Sequence, residues 1–257
     1  MEKKSVFHVE ITESAEIKCG NTHLIGAFPY GTAPFRFFKE KDGYKILLSD
    51  NTGKYLSLLQ SSARFTHNHL FLSGGPADQF LGFDNAVMMA FAFSTVYSRT
   101  LLIHASAIVH RNKAFLFLGK SGTGKSTHSK YWLQNIPETT LLNDDNPILQ
   151  ISKNGQILVY GSPWSGKTPC YKNAVYPLGG IVRIQQAPYN AVRQCERLEA
   201  FTSLFSSSSY IPWDASSRAN CIDTVSAIAS AVPSFCLKCL PNAEAARLCA
   251  ATIAEGL

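Results

Sequence analysis

Apolar and polar residues alternate in two different ways along this chain, and the change falls near residue 100. From residue 4 to about 75, short apolar and aromatic runs are broken by turn residues. "SVFHVEIT" (5–12), "FRFFKEK" (35–41), "YKILLS" (44–49), "KYLSLLQ" (54–60) and "HLFLS" (69–73) alternate with period two, the spacing that sends successive side chains to opposite faces of a strand. "KDG" and "DNTGK" between them read as hairpin turns. The pattern predicts a mostly β, antiparallel N-terminal domain over residues 1–95. Near its end, "FDNAVMMAFAFSTVYSRT" (83–100) opens on residues suited to capping and then lacks Gly and Pro for a dozen positions, which predicts a buried linking helix.

From about 96 to 257 the runs lengthen and alternate in type, which predicts an α/β domain. "LLIHASAIVH" reads as a strand, "RNK" as a turn and "AFLFLG" as a second, fully buried strand. "KSTHSKYWLQNI" has apolar or aromatic residues at 131, 132, 133 and 136 and is closed by Pro137, as a helix would be. "TTLLNDD" is a strand ending in two acids. "PILQIS" and "QILVYG", joined by "KNG", form a hairpin, and "LGGIVRIQQ" is a further strand. Residues 194–206 and 220–231 read as helices, "SFCLKCL" as a strand, and the segment from Asn242 as a closing helix.

Two stretches match the glycine and lysine spacing of a phosphate-binding loop: "GKSGTGKS" (119–126) and "GSPWSGKT" (161–168). Such a loop needs a buried strand before it and a helix N-terminus after it, because unpaired N–H groups and the helix dipole hold the anion. The first stretch has both. The expected cradle is Gly119, Ser121, Gly122, Thr123, Gly124, Lys125, Ser126 and Thr127, with Lys125 reaching the β- and γ-phosphates of ATP and Ser126 ligating Mg²⁺. The second has Pro163 within it and Pro169 directly after Thr168, and "PCYKNAVYPLGG" offers no helix before Pro177. It is not expected to be a second nucleotide loop, and Trp164 and Lys167 become candidates for a lid or substrate clamp.

"TTLLNDDN" supplies the chemistry a phosphate loop lacks. A strand parallel to "AFLFL" brings Asp144 and Asp145 out at the same sheet edge. One carboxylate then holds Mg²⁺, with Asp145 taken beside Ser126, and the other accepts the proton of an attacking hydroxyl; which of the two is the base stays open. His104 lies on the strand one hairpin before the loop and by itself reads as a core histidine.

Composition narrows the class without naming a substrate. Of 257 residues, 46% are hydrophobic and 16% charged, which excludes a disordered chain. The 24 Lys and Arg exceed 18 Asp and Glu, but they form no block, so a nucleic-acid partner is not expected and a surface suited to anionic small ligands is. No apolar segment follows the N-terminal lysines, and the most apolar stretch, Ala86 to Tyr97, is short for a bilayer, so the expectation is a cytoplasmic protein with no membrane partner and a possible homo-oligomeric state. Seven irregularly spaced cysteines argue against a disulfide framework, and "CLKC" (236–239) lacks partners for a zinc site.

"IHASAIVHRNKAFLFLGKSGTGKSTHSKYW" followed closely by "LLNDDN" resembles the catalytic domain of the HPr kinase/phosphorylase group and, more distantly, the ATP-dependent phosphoenolpyruvate carboxykinases. The resemblance covers roughly residues 100–190. It implies a P-loop-containing mixed sheet of that type, ATP and Mg²⁺ as cofactors, catalytic roles for Asp144, Asp145, His104 and Lys125, and a place near the acceptor for "PWSGK". The implied activity is a kinase transferring the γ-phosphate to a hydroxyl on a protein serine, a peptide or a small metabolite; the alternative is a non-catalytic ATP-sensing module of the same fold. The chain departs from the kinase/phosphorylase group in having Thr127 where that group has an acid, and in lacking its glycine-rich signature, so neither phosphorolysis nor HPr as acceptor is implied.

Overall fold

The computed structural model describes residues 5–14, 16–18, 23–30, 33–50, 52–166 and 168–254. Lys167, Cys19 and the "EKK" run at 2–4 lie outside them. The chain divides into two compact units, Met1–Thr95 and Val96–Leu257.

In the first unit six strands form one sheet: β1 (His8–Glu13), β2 (His23–Tyr30), β3 (Ala33–Lys39), β4 (Gly43–Ser49), β5 (Tyr55–Ser62) and β6 (His67–Leu72), in the order β1-β6-β5-β4-β3-β2. Strands β2 to β6 are an antiparallel meander, but β1 pairs with β6 in parallel, so the sheet is mixed rather than wholly antiparallel. Strand β2 was not expected: Gly26 and Pro29 interrupt its apolar pattern, and its position at the sheet edge tolerates a proline that has no N–H to donate.

Helix α1 (Pro76–Thr95) packs on β5 and β6. It starts at Pro76, where a missing N–H costs nothing, and not at Asp84, which lies inside it. Asn85, also inside, donates to the Leu81 carbonyl at 2.8 Å. A Cβ on Gly82 would stand 2.9 Å from the Cβ of Ser57, so glycine lets the helix approach β5. With the 3₁₀ turn Val96–Ser98, the apolar helix is longer than the stretch from Ala86 to Tyr97 suggested. By length and composition it is enough to cross a membrane, while 61% of its apolar window is buried, as in a core helix.

The second unit is built on β7 (Thr100–Leu102), β8 (Ala105–His110), β9 (Lys113–Leu118), β10 (Thr139–Asp145), β11 (Ile148–Ile151), β12 (Ile157–Tyr160), β13 (Val175–Gln186), β14 (Ala191–Gln194) and β15 (Ser234–Cys239). The main path runs β10-β8-β9-β13-β12-β11-β7, with β15 parallel to β13 and β14 antiparallel to β15. The expected single strand over 101–110 is two, broken at Ile103 and His104: β7 pairs with β11, while β8 pairs with β9 and β10. Arg111 and Asn112, at φ 47° and 60°, close the β8–β9 hairpin in the left-handed conformation such turns require.

Strand direction decides where the site lies. Strand β9 is parallel to β13, and β13 to β15. Strand β10 is not beside β9; β8 separates them, antiparallel to both, so β10 runs in the same direction as β9. The C-terminal ends of β9, β10, β13 and β15 therefore share one edge with the start of β8.

Helices cover both faces. α2 (Lys125–Asn135) and α5 (Ala243–Ala254) close a core around Phe115, Phe117, Trp132, Val182 and Leu237. α3 (Arg197–Phe205) and α4 (Ala215–Ala231) close the other around Leu116, Leu118, Ile181, Leu204 and Val225. Cys236 and Cys239 are three apart on β15 and so face opposite sides of the sheet, Cys236 bonded to Gln185 on the α3 and α4 side and Cys239 packed in the α2 core. They cannot share a metal ion.

Candidate functional site

The segment 119–124 connects the buried β9 to α2. Gly122 and Gly124 hold φ 79° and 102°, a region L side chains rarely adopt, which is the local reason these positions are glycine. Gly124 precedes α2 without a side-chain cap. The first helical bond runs from His128 N to Gly124 O, and the amides of Gly122, Gly124, Lys125, Ser126 and Thr127 make no hydrogen bond among the described residues. They are orphan donors at the positive end of the helix dipole. Ser121, Ser126 and Thr127 are exposed there. Thr123 closes the loop on itself through Lys120 O, and Gln186 on β13 donates to Gly122 O at 3.2 Å.

Lys125 is 8% exposed and turns back across this loop. Its ammonium donates to Gly119 O at 2.9 Å and to His104 Nε2 at 2.8 Å. Burial lowers its pKa from the ordinary lysine value, opposed by the charges of Asp145 and Asp144. An imidazole that accepts at Nε2 must carry its proton at Nδ1, and His104 Nδ1 lies 3.1 Å from Asp145 Oδ1. Lys125 is thus hydrogen-bonded to one ring nitrogen of His104, and the Asp145 carboxylate stands within ion-pair distance of the other. This grouping exists because β10 runs with β9 and because the break between β7 and β8 puts His104 at the same edge. The backbone of that break is pinned by the residues after α3: His104 N donates to Ser207 O at 2.7 Å, and Ile103 bridges Ser208.

The acids differ. Asp145 has φ 145°, unusual for a residue with a side chain and worth roughly 1–3 kcal/mol of strain, and its Oδ2 accepts from Asn146 at 2.9 Å. Asp144 is 3% exposed and its carboxylate makes no hydrogen bond among the described residues. Its cross-strand neighbour is Ser106, whose hydroxyl meets Ser129 of α2 at 2.6 Å, so Asp144 is on the α2 side of the sheet. The charge of Lys125 acts on this carboxylate through space.

The stretch 161–166 is a brace for these acids. No helix follows it. Asn143 donates to Ser162 O, Ser162 Oγ and Trp164 O at 3.2–3.3 Å and accepts from Asn146 N at 2.8 Å. Gly166 N donates to Asp144 O, and Ser165 bridges Asp145. A Cβ on Gly166 would stand 2.9 Å from Asp144 O and 3.1 Å from Asp145 Cβ. Trp164, a candidate for a lid or substrate clamp, is 8% exposed. Lys167, its expected companion, is not among the described residues.

Two cavities flank the 119–124 loop. One, of about 670 Å³ on the α2 and α5 side, is lined by Thr127, Ile184, Ala187, Leu240 and Pro241 among others. The other, of about 680 Å³ on the α3 side, runs from His104 past the loop to Arg183, Gln185 and the hydroxyls of Thr202, Ser203, Ser206 and Ser207. Asn143, Gly166, Arg183 and Ser203 have no motif of their own in the sequence. A glycine inside a motif that failed its test was the only local hint of any of them.

No protein-family model matches the chain, and no curated protein matches it. Among solved structures it is similar to the HPr(Ser) kinase/phosphatase from Coxiella burnetii, at 13% identity and a TM-score of 0.35, over 60% of this chain and 89% of that one. The similarity is distant and structural.

Proposed function

We propose that this chain is an ATP- and Mg²⁺-dependent kinase of the HPr kinase-like type, with a phosphate loop at 119–126 and a hydroxyl-bearing acceptor. The observation that carries the reading is the convergence at one sheet edge of unpaired loop amides, Lys125 and the Asp145–His104 pair. Bare amides and an ammonium suit a polyphosphate. The apolar cavity bounded by Ile184, Ala187, Leu240 and Pro241 suits a base and sugar.

The donor set fits Mg²⁺, which takes few protein oxygens and keeps waters and phosphate oxygens. The Ser126 hydroxyl and the buried Asp144 carboxylate are the groups to hold it. When bound, the ion neutralises charge building up on the transferring phosphoryl group. Asp145, 3.1 Å from His104 Nδ1, is then the orienting acid and not the first choice for the metal.

Lys125 leaves His104 when its ammonium turns to phosphate oxygens. That frees Nε2, held in its accepting tautomer by Asp145, to take the proton of an acceptor hydroxyl. The strain at Asp145 φ supports a role in which this carboxylate is aimed at His104 and not merely lodged in a turn.

Isothermal titration with Mg-ATP tests the nucleotide site: wild type binds, and Lys125→Ala loses about tenfold or more in affinity. Absence of heat from wild type, or equal affinity in the variant, overturns the reading. Transfer of labelled γ-phosphate to an acceptor tests the chemistry: His104→Gln lowers the rate about 10²- to 10⁴-fold with Mg-ATP binding retained.

A further inference from the structure

The cavity on the α3 side of the glycine loop is larger than a phosphate needs and differs in character from its apolar counterpart. Its one strand-borne cation is Arg183, on the β13 face that Ile181 shares with α3 and α4. Arg183 is half-buried and makes no hydrogen bond or ion pair among the described residues. Nearby Glu199 is already held bidentately by Arg193, at 2.6 and 2.7 Å. A partly desolvated guanidinium with its donors unspent is matched by a carboxylate or a phosphate.

The opposite wall is a row of hydroxyls. Ser206 and Ser207 donate to Ser203 O at 3.1 and 3.0 Å, and Thr202 donates to Glu199 O at 3.1 Å. Having spent their protons on their own helix, these oxygens have only lone pairs left for the cavity. Ser203 is 7% exposed and its buried Oγ has no partner. A buried hydroxyl left unpaired is unusual. This wall is complementary to hydroxyl groups that donate.

We propose that this cavity is the acceptor subsite, and that the acceptor is a small hydroxyl-bearing anion: Arg183 binds its carboxylate or phosphate, Thr202, Ser206 and Ser207 bind its remaining hydroxyls, and the reacting hydroxyl meets His104. The proposal rests on the kinase reading above. Transfer then balances as follows. The acceptor oxygen forms a bond to the γ-phosphorus, its proton passes to His104 Nε2, and the bond from that phosphorus to the β–γ bridging oxygen breaks, releasing ADP. The cavity volume of about 680 Å³ suits a metabolite. Because Ser207 O also holds the His104 backbone, the wall that recognises the acceptor is the wall that positions the base.

The test is calorimetry on the full chain with glycerol 3-phosphate, D-glycerate and neutral glycerol as probes, with and without saturating Mg²⁺ and a non-hydrolysable ATP analogue. At least one anion binds about tenfold or more tighter than glycerol; which one does separates phosphate from carboxylate recognition. Arg183→Ala removes that preference, a loss of about 10- to 100-fold, Arg183→Lys keeps part of it, and affinity for the ATP analogue changes less than about twofold. Ser206→Ala weakens the preferred probe with its anion preference intact. No anion preference in wild type, a preference that survives Arg183→Ala, or an equal loss of analogue and probe in that variant each overturns the assignment. If the analogue fails to bind wild type, the kinase reading falls instead, and the probes without nucleotide still decide whether Arg183 is an anion site.

Discussion

His128 sits one turn into α2, directly behind the glycine loop, and offers a pH-dependent measure of how that helix is held. It is 4% exposed, accepts the indole N–H of the fully buried Trp132 at 3.0 Å, and meets Phe117 edge to face with ring centroids 4.8 Å apart. Protonation would bury a charge and turn the accepting nitrogen into a second donor facing that N–H. Burial accordingly lowers its pKa to about 4 from an ordinary 6.5. The folded value lies below the unfolded one, so between 6.5 and 4 the unfolded chain binds a proton that the folded chain refuses. Stability from this group is complete above 6.5 and is lost as pH falls toward 4. Between about pH 7.5 and pH 5 the loss is about 2 kcal/mol, and by pH 4 it approaches about 3 kcal/mol. His128→Gln keeps an acceptor for Trp132 and cannot titrate. Urea unfolding at a series of pH values, on wild type and variant, isolates the term as the change in their difference, since every other group is common to both. The variant is expected to gain about 2 kcal/mol on wild type over that interval. Parallel curves, agreeing within about 0.5 kcal/mol, would refute the assignment of a neutral, buried imidazole.

The brace around the acids gives two further tests. Gly166→Ala forces a methyl against Asp144 O and Asp145 Cβ, and is expected to slow phosphoryl transfer about 10²-fold while metal-free nucleotide binding stays near wild type; wild-type turnover would show that the close approach has no bearing on the acids. Asn143→Leu removes three donated bonds and one accepted bond and leaves buried carbonyls unpaired, so chemical denaturation should show a loss of about 3 kcal/mol, together with weaker Mg²⁺-dependent ATP binding.

Local sequence determined what depends on neighbours in the chain. The β8–β9 turn needs residues that accept positive φ, and Arg111-Asn112 follows an apolar run and precedes another. The strand, glycine loop and helix over 113–135 are legible because a buried strand is continuously apolar, a turn of this kind needs Gly122 and Gly124, and "KSTHSKYWLQN" contains no breaker. The failure of "GSPWSGKT" to open a helix follows from Pro163 and Pro169 alone.

Pairing between distant strands was not determined that way. Nothing near "HVEITE" states that it pairs in parallel with β6, and nothing near "TTLLNDD" states that β8 lies between it and β9. The Asp145–His104–Lys125 grouping joins three segments whose contact is set by strand direction and register across the sheet, and register carries no local signature. Arg183 reads as an ordinary strand residue until the fold sets it in one cavity with the hydroxyls at the end of α3, its guanidinium without a hydrogen bond among the described residues. A residue's propensity is a property of its own backbone, whereas its partner, its burial and the shape of the space before it are properties of the whole packed unit, and the chemistry of this site is made of the second kind.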